Sequence, residues 1–162
     1  MNFTILFYGA TLLTVIASRL LAGTWRWGYL LGGLCFGVYN EFLFEFCWTY
    51  SPVLRPFLWR DVPLLVVLGW GTIGMLAMTI SDRLLRYFPH TPRHPGAMLM
   101  VLDVLVYAVM GLVEELGMSR AHFWSYNFPI QGWFPFQILG YVGVATWVTS
   151  TGRRLEAIRN RG

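Results

Sequence analysis

Five apolar stretches of membrane-spanning length take up nearly all of this chain: Phe3 to Ala22, Trp27 to Trp48, Val62 to Ile80, Ala97 to Met118 and Phe134 to Thr151. Crossing a bilayer takes roughly 20 apolar residues in a helix. In hydrocarbon the backbone must satisfy its own hydrogen bonds, so runs of this length span as helices. The expected fold is an all-α polytopic membrane bundle of about five transmembrane helices, a single domain over residues 1–162. Composition agrees: 56% of the 162 residues are hydrophobic and 12% charged, too apolar a balance for a soluble domain of this size.

The first stretch lacks the basic n-region of a signal peptide and stays apolar for a full membrane thickness up to Arg19, so a retained helix is expected. All twelve basic residues are arginines. Arg19, Arg26, Arg83, Arg86, Arg93, Arg153, Arg154, Arg159 and Arg161 fall at one set of span ends, against Arg55, Arg60 and Arg120 at the other. The bias predicts an N-terminus outside and a C-terminus in the cytoplasm, in the cell (cytoplasmic or inner) membrane. These arginines flank spans and form no aromatic-interleaved stripe, so membrane lipid is the expected partner and nucleic acid is not. Cys35 and Cys47, about 18 Å apart along one helix, are too distant to pair within the chain.

An internal echo divides the chain. Glu41 opens E-F-L-F-E-F-C-W-T-Y-S-P, and Glu114 opens E-E-L-G-M-S-R-A-H-F-W-S-Y-N-F-P; both carry carboxylates, W-[ST]-Y and then proline. Leu68-Gly69-Trp70 parallels Leu139-Gly140-Tyr141, and fourteen residues past each aromatic comes Leu84 or Leu155, preceded by arginine. The expectation is a tandem two-helix repeat, half A over 27–84 and half B over 97–155, with helix one (3–22) as an addition. Parallel repeats place sites between their halves. The plainer explanation is that aromatic belts and prolines recur at membrane interfaces. The segment between the halves holds Pro89, Pro92, Pro95 and an HxxxH pair, His90 and His94, which reads as a solvated turn.

Five of the eight acidic residues, Glu41, Glu45, Asp103, Glu114 and Glu115, lie within or at the ends of the apolar runs. A carboxylate at the bilayer centre costs at least about 2.5 kcal/mol, so such groups face a bundle interior, a cavity or one another. On a continuous helix Glu41, Glu45 and Trp48 share a face that continues inward through Gly33 and Gly37, a GxxxG element allowing close helix approach. Asp103 and Glu114 align within about 20° while lying about 16 Å apart, with Tyr107 and Met110 between them. Glu115 is expected to point elsewhere, toward the interface.

If these faces meet, Glu41, Glu45 and Glu114 form a carboxylate cluster roofed by Trp48, Tyr50, Trp124, Tyr126 and Asn127. Like charges so close cannot all ionise, and a protonated carboxyl in an apolar pocket is a general acid. The candidate catalytic residues are therefore Glu41, Glu45, Glu114 and Asp103, and the candidate substrate-binding residues Trp48, Tyr50, Tyr107, Trp124, Tyr126 and Asn127. The alternative is that each acid pairs with an arginine such as Arg55, Arg60 or Arg120 and fixes helix register; Glu115 fits that best.

No spacing is diagnostic for a metal, although His122 is an available nitrogen. The three histidines fall in loops, so no imidazole is expected at membrane depth for haem, and no cofactor is identified. Gly69 to Gly74 spells G-W-G-T-I-G, but inside an apolar span and after no strand, so helix packing explains it. Nucleophilic hydrolysis has little support, since no G-x-S-x-G occurs.

Glu115-Leu116-Gly117 followed by Trp124-Ser125-Tyr126, Gly132 and Pro135 resembles the pattern of small integral-membrane carotenoid-biosynthesis proteins, the carotenoid hydratases and heterodimeric lycopene cyclases. The resemblance covers about a third of the chain. It implies acid-catalysed addition or cyclisation at an isoprenoid double bond, with an intramembrane carboxylate as proton donor. The chain departs from the pattern in being short and in having Val113, rather than proline, before Glu114-Glu115.

Three functions are compatible with these features. One is an enzyme on a polyisoprenoid lipid, with aromatic faces stabilising carbocation-like charge. Another is a non-catalytic subunit of a respiratory or photosynthetic membrane complex, contacting partner transmembrane subunits or copies of itself through its tryptophan-rich surface. A proton-coupled transporter is less attractive, because neither half has an evident broken helix.

Overall fold

The computed structural model describes residues 3–87, 95–127 and 134–161. Pro89, Pro92, the HxxxH pair and Gly132 lie outside that set. Five helices follow one another: α1 (Phe3–Ala22), α2 (Trp27–Phe44), α3 (Leu64–Leu85), α4 (Pro95–Arg120) and α5 (Phe134–Arg159). Four of them, α1 to α4, are long and apolar enough to cross a membrane. Short strands sit between: β1 (Trp48–Tyr50), β2 (Phe57–Trp59), β3 (Val62–Pro63) and β4 (Trp124–Tyr126).

The bundle closes because α2 and α4 each pack against both α3 and α5, while α1 lies outside against α3. Glycine permits the tightest of these seams. A Cβ on Gly33 would lie 2.3 Å from the Trp70 carbonyl oxygen, and one on Gly32 would lie 2.6 Å from the Gly152 Cα, so the G-x-x-x-G stripe does bring backbones into contact. Tyr29, Phe36, Met75, Met78, Tyr107 and Val148 fill the interior. The outer faces remain apolar, with Leu20 72% and Leu139 71% exposed, as expected of surfaces solvated by lipid.

Helix boundaries depart from the expected runs where polar chemistry intervenes. α2 ends at Phe44 rather than Trp48, because Glu45–Cys47 tightens into a 3₁₀ turn and Trp48-Thr49-Tyr50 becomes a strand. β1 pairs antiparallel with β4, placing Trp48 opposite Tyr126, Thr49 opposite Ser125 and Tyr50 opposite Trp124. Aromatic and β-branched residues suit such a pleated pair, and the register is symmetric about Thr49 and Ser125. α3 and α5 run past Ile80 and Thr151 because their charged ends are held by partners. Glu156 of α5 accepts the Gly28 amide of α2 at 2.9 Å, capping an N-terminus that has no side-chain cap of its own. Arg159 and Arg26 flank it at 2.7 and 3.7 Å.

Candidate functional site

Glu41 stands on the last turn of α2, fully buried. Its Oε2 accepts from the Trp48 indole at 3.1 Å and the Tyr50 hydroxyl at 2.6 Å. Its Oε1 accepts from the Trp70 indole at 3.0 Å and the Asn40 amide at 3.3 Å. Burial, then the adjacent Glu41 charge, push the Tyr50 phenol well above its ordinary range, so it remains a donor. Glu115 on α4 is held in a parallel way. Its Oε1 accepts from the Trp124 indole at 2.8 Å and from the Tyr126 hydroxyl, and its Oε2 from the Tyr141 hydroxyl at 3.0 Å. Each acid thus draws on the indole and phenol of the strand that follows its helix and on one ring of the next helix.

The paired strands bring the two acids toward each other. Glu41, Glu114 and Glu115 line one cavity of about 40 Å³, walled by Trp48, Tyr50, Trp70, Trp124 and Tyr141, a volume sufficient for a water molecule. Among the described residues none of the three carboxyls forms an ion pair. Glu114 differs from the other two in accepting no hydrogen bond from any described residue; its Oε1 lies 3.8 Å from where a Cβ on Gly69 would stand.

Two larger apolar crevices flank this cavity. One, of about 360 Å³ between α2 and α5, is lined by Phe36, Tyr39, Phe44, Trp48, Tyr141 and Val144, with Asn40 and Glu115 at its inner wall. The other, of about 500 Å³, lies between α3 and α4 under α1 and is lined by Phe7, Thr14, Ile73, Met110 and Val113, with Glu114 at its inner wall.

Other expected members of the cluster stand elsewhere. Because α2 stops at Phe44, Glu45 leaves the Glu41 face and pairs with Arg60. Asn127 does not roof the cavity: it is exposed and ties the strand ends together, accepting from the Thr49 hydroxyl and donating to the Phe46 carbonyl, each at 2.9 Å. Tyr107 is fully buried in the core and lines none of these three spaces. Asp103 lies toward the opposite end of the bundle, gripped by Arg153 at 2.5 and 2.6 Å; Arg153 also donates to Asp82 and to the Tyr29 hydroxyl, both at 2.9 Å. Glu115, expected at the interface, is instead inside the site. His122 is exposed in the turn after α4, and no three His, Cys, Asp or Glu among the described residues are grouped to hold a metal.

The expected alignment of Glu41 with Glu114 obscured the role of Glu115. A sharper signal is the pair Gly37-x-x-x-Glu41 and Gly111-x-x-x-Glu115. A Cβ on Gly37 would sit 2.9 Å from the Trp70 Cβ, and one on Gly111 would sit 2.5 Å from the Tyr141 Cε1. In both cases the glycine makes room for a ring that bonds the acid one turn on. Neither a family model, nor a curated protein, nor a solved structure matches the chain.

Proposed function

We propose that this is a multi-pass enzyme of the cell (cytoplasmic or inner) membrane, performing acid–base chemistry on a polyisoprenoid-type lipid that enters from the bilayer. The observation carrying this reading is the cavity shared by Glu41, Glu114 and Glu115, where three carboxyls meet with aromatic donors and, among the described residues, no cation. Like charges across so small a space cannot all ionise, so one carboxyl retains a proton for transfer. A proton passed to a double-bond carbon consumes the π pair in a new C–H bond and leaves a carbocation, which nearby indole faces stabilise. A carboxylate then removes a proton from an adjoining carbon, giving an isomerised product; where a second double bond first attacks the cation, its π pair becomes the ring C–C bond and the new cation loses the proton, giving a ring-closed product, in both cases with the acid restored and no oxidant required. Capture of the cation by water, with the extra proton passing to the carboxylate, would give hydration.

The same proposal includes five crossings, an N-terminus outside and the carboxylate end on the outer side, since the arginine-rich ends of α1, α2, α3 and α5 share the other side. It also includes a tandem repeat of α2–β1–α3 and α4–β4–α5. Supporting the repeat are the symmetric strand register and the matching sets Gly37, Glu41, Trp70 and Gly111, Glu115, Tyr141.

The test is purification in mild detergent, followed by particle mass and by absorption and mass spectra of the lipid that travels with the protein. A small particle carrying a polyene or isoprenoid is expected. Co-migration with a large redox or pigment complex, and no such lipid, would instead make the chain a non-catalytic subunit.

A further inference from the structure

The two flanking crevices occupy corresponding places in the proposed halves, and their differences are instructive. Phe36, Tyr39, Asn40 and Phe44 of α2 line one, and Met110, Val113, Glu114 and Met118 of α4 line the other at the same spacing. Gly140 and Val144 of α5 answer to Gly69 and Ile73 of α3. At the inner position one crevice presents a neutral amide, Asn40, already bonded to Glu41. The other presents the Glu114 carboxyl, which has no partner among the described residues. Both crevices are half-open, and α1 contributes a wall to the Glu114 crevice.

We infer that the cavity between α1, α3 and α4 is the lipid site, that it holds a hydrocarbon chain with one proton-accepting group, a double bond or a hydroxyl, and that Glu114 is the side chain meeting that group. The inference rests on the acid–base reading and specifies where it happens. The other polar side chains of this wall are already satisfied. Thr11, Thr14 and Thr72 donate to carbonyls of their own helices at 3.0, 2.9 and 3.2 Å, and the Trp124 indole is bonded to Glu115. A ligand with polar groups along its length would find nothing to bond, whereas an apolar chain ending its buried stretch at Glu114 leaves no group stranded. A volume of about 500 Å³ lies within the range of small-molecule sites, and the wall from Phe7 to Thr14 gives a run of about 10 Å along α1. Asn40 marks the corresponding position, and the carboxyl that the α2–α5 crevice does reach, Glu115, is already held by the Trp124 indole and the Tyr126 and Tyr141 hydroxyls, so that crevice presents no acid free to meet a ligand.

Photocrosslinking of the full chain in lipid nanodiscs with a diazirine analogue of geranylgeraniol, read by peptide mass spectrometry, tests the site. Adducts are expected on α1, α3 and α4 peptides that line this cavity. Gly69→Leu, which fills the space before Glu114 where a Cβ meets nothing closer than 3.8 Å, should reduce them at least tenfold. Gly140→Leu, where a Cβ meets nothing within 4 Å, should leave them unchanged. Adducts concentrated in the α2–α5 crevice, or spread evenly over the lipid-facing surface, would overturn the inference. If adducts map to this cavity while Glu114→Gln turns over normally, the cavity stands as a lipid site and the role given to Glu114 falls; the acid–base reading itself falls if Glu41→Gln and Glu115→Gln also turn over normally.

Discussion

The two ends of the bundle use buried acids in opposite ways. At the arginine-rich end Asp82, Asp103 and Glu156 are met by Arg153, Arg26 and Arg159, so each of these three carboxylates has a cation within 4 Å. At the other end Glu41 and Glu115 are held by indoles, phenols and an amide, and Glu114 by none of them. Paired acids join helices: Arg153 alone links α5 to α2, α3 and α4. Acids gathered without a cation are costly to keep charged in an apolar setting, and their arrangement leaves a proton available. On the proposed reading, stability belongs to one end and chemistry to the other.

Substitutions should separate the two. The largest effect is expected from Glu114→Gln, which should lower turnover by about 10² to 10⁴, the range of a lost general acid, while leaving the thermal midpoint unchanged. Next, Asp103→Asn takes one of the two carboxylates from Arg153, leaving Asp82 as its partner, and should cost about 2 kcal/mol of stability, read from unfolding in detergent, with turnover per folded molecule preserved. Loss of turnover without loss of stability there would erase the distinction between the ends. Tyr50→Phe removes one of four donors to Glu41 and should cost about 1 kcal/mol, and absorbance titration of the wild type should show this phenol unionised through the range where free tyrosine titrates. Smallest should be Glu45→Gln, because its partner Arg60 is 78% exposed and surface pairs contribute about 0 to 1 kcal/mol.

Much of the helical framework was legible because hydropathy reports lipid exposure directly: α1 spans the expected Phe3 to Ala22, and α3 and α4 lie within a few residues of their apolar runs. Errors concentrated where burial and polarity part company. The charged ends of α3 and α5 looked like interface because a sequence does not show that Asp82 and Arg153 meet. Glu45 was misplaced by extending the period of α2 through a segment that β1–β4 pairing pulls out of the helix. Glu114 and Glu115 were distinguishable as a pair but not in role, since adjacent helical residues diverge by about 100° and only the site of Tyr141 shows which one it bonds.

The most direct test of the central claim is to incubate the purified protein with a polyisoprenoid lipid extract in D2O and follow the products by mass spectrometry. Protonation by an intramembrane carboxyl in exchange with solvent predicts deuterium on a product carbon in the wild type and none with Glu114→Gln. Product free of deuterium, or equal labelling by the two proteins, would contradict it.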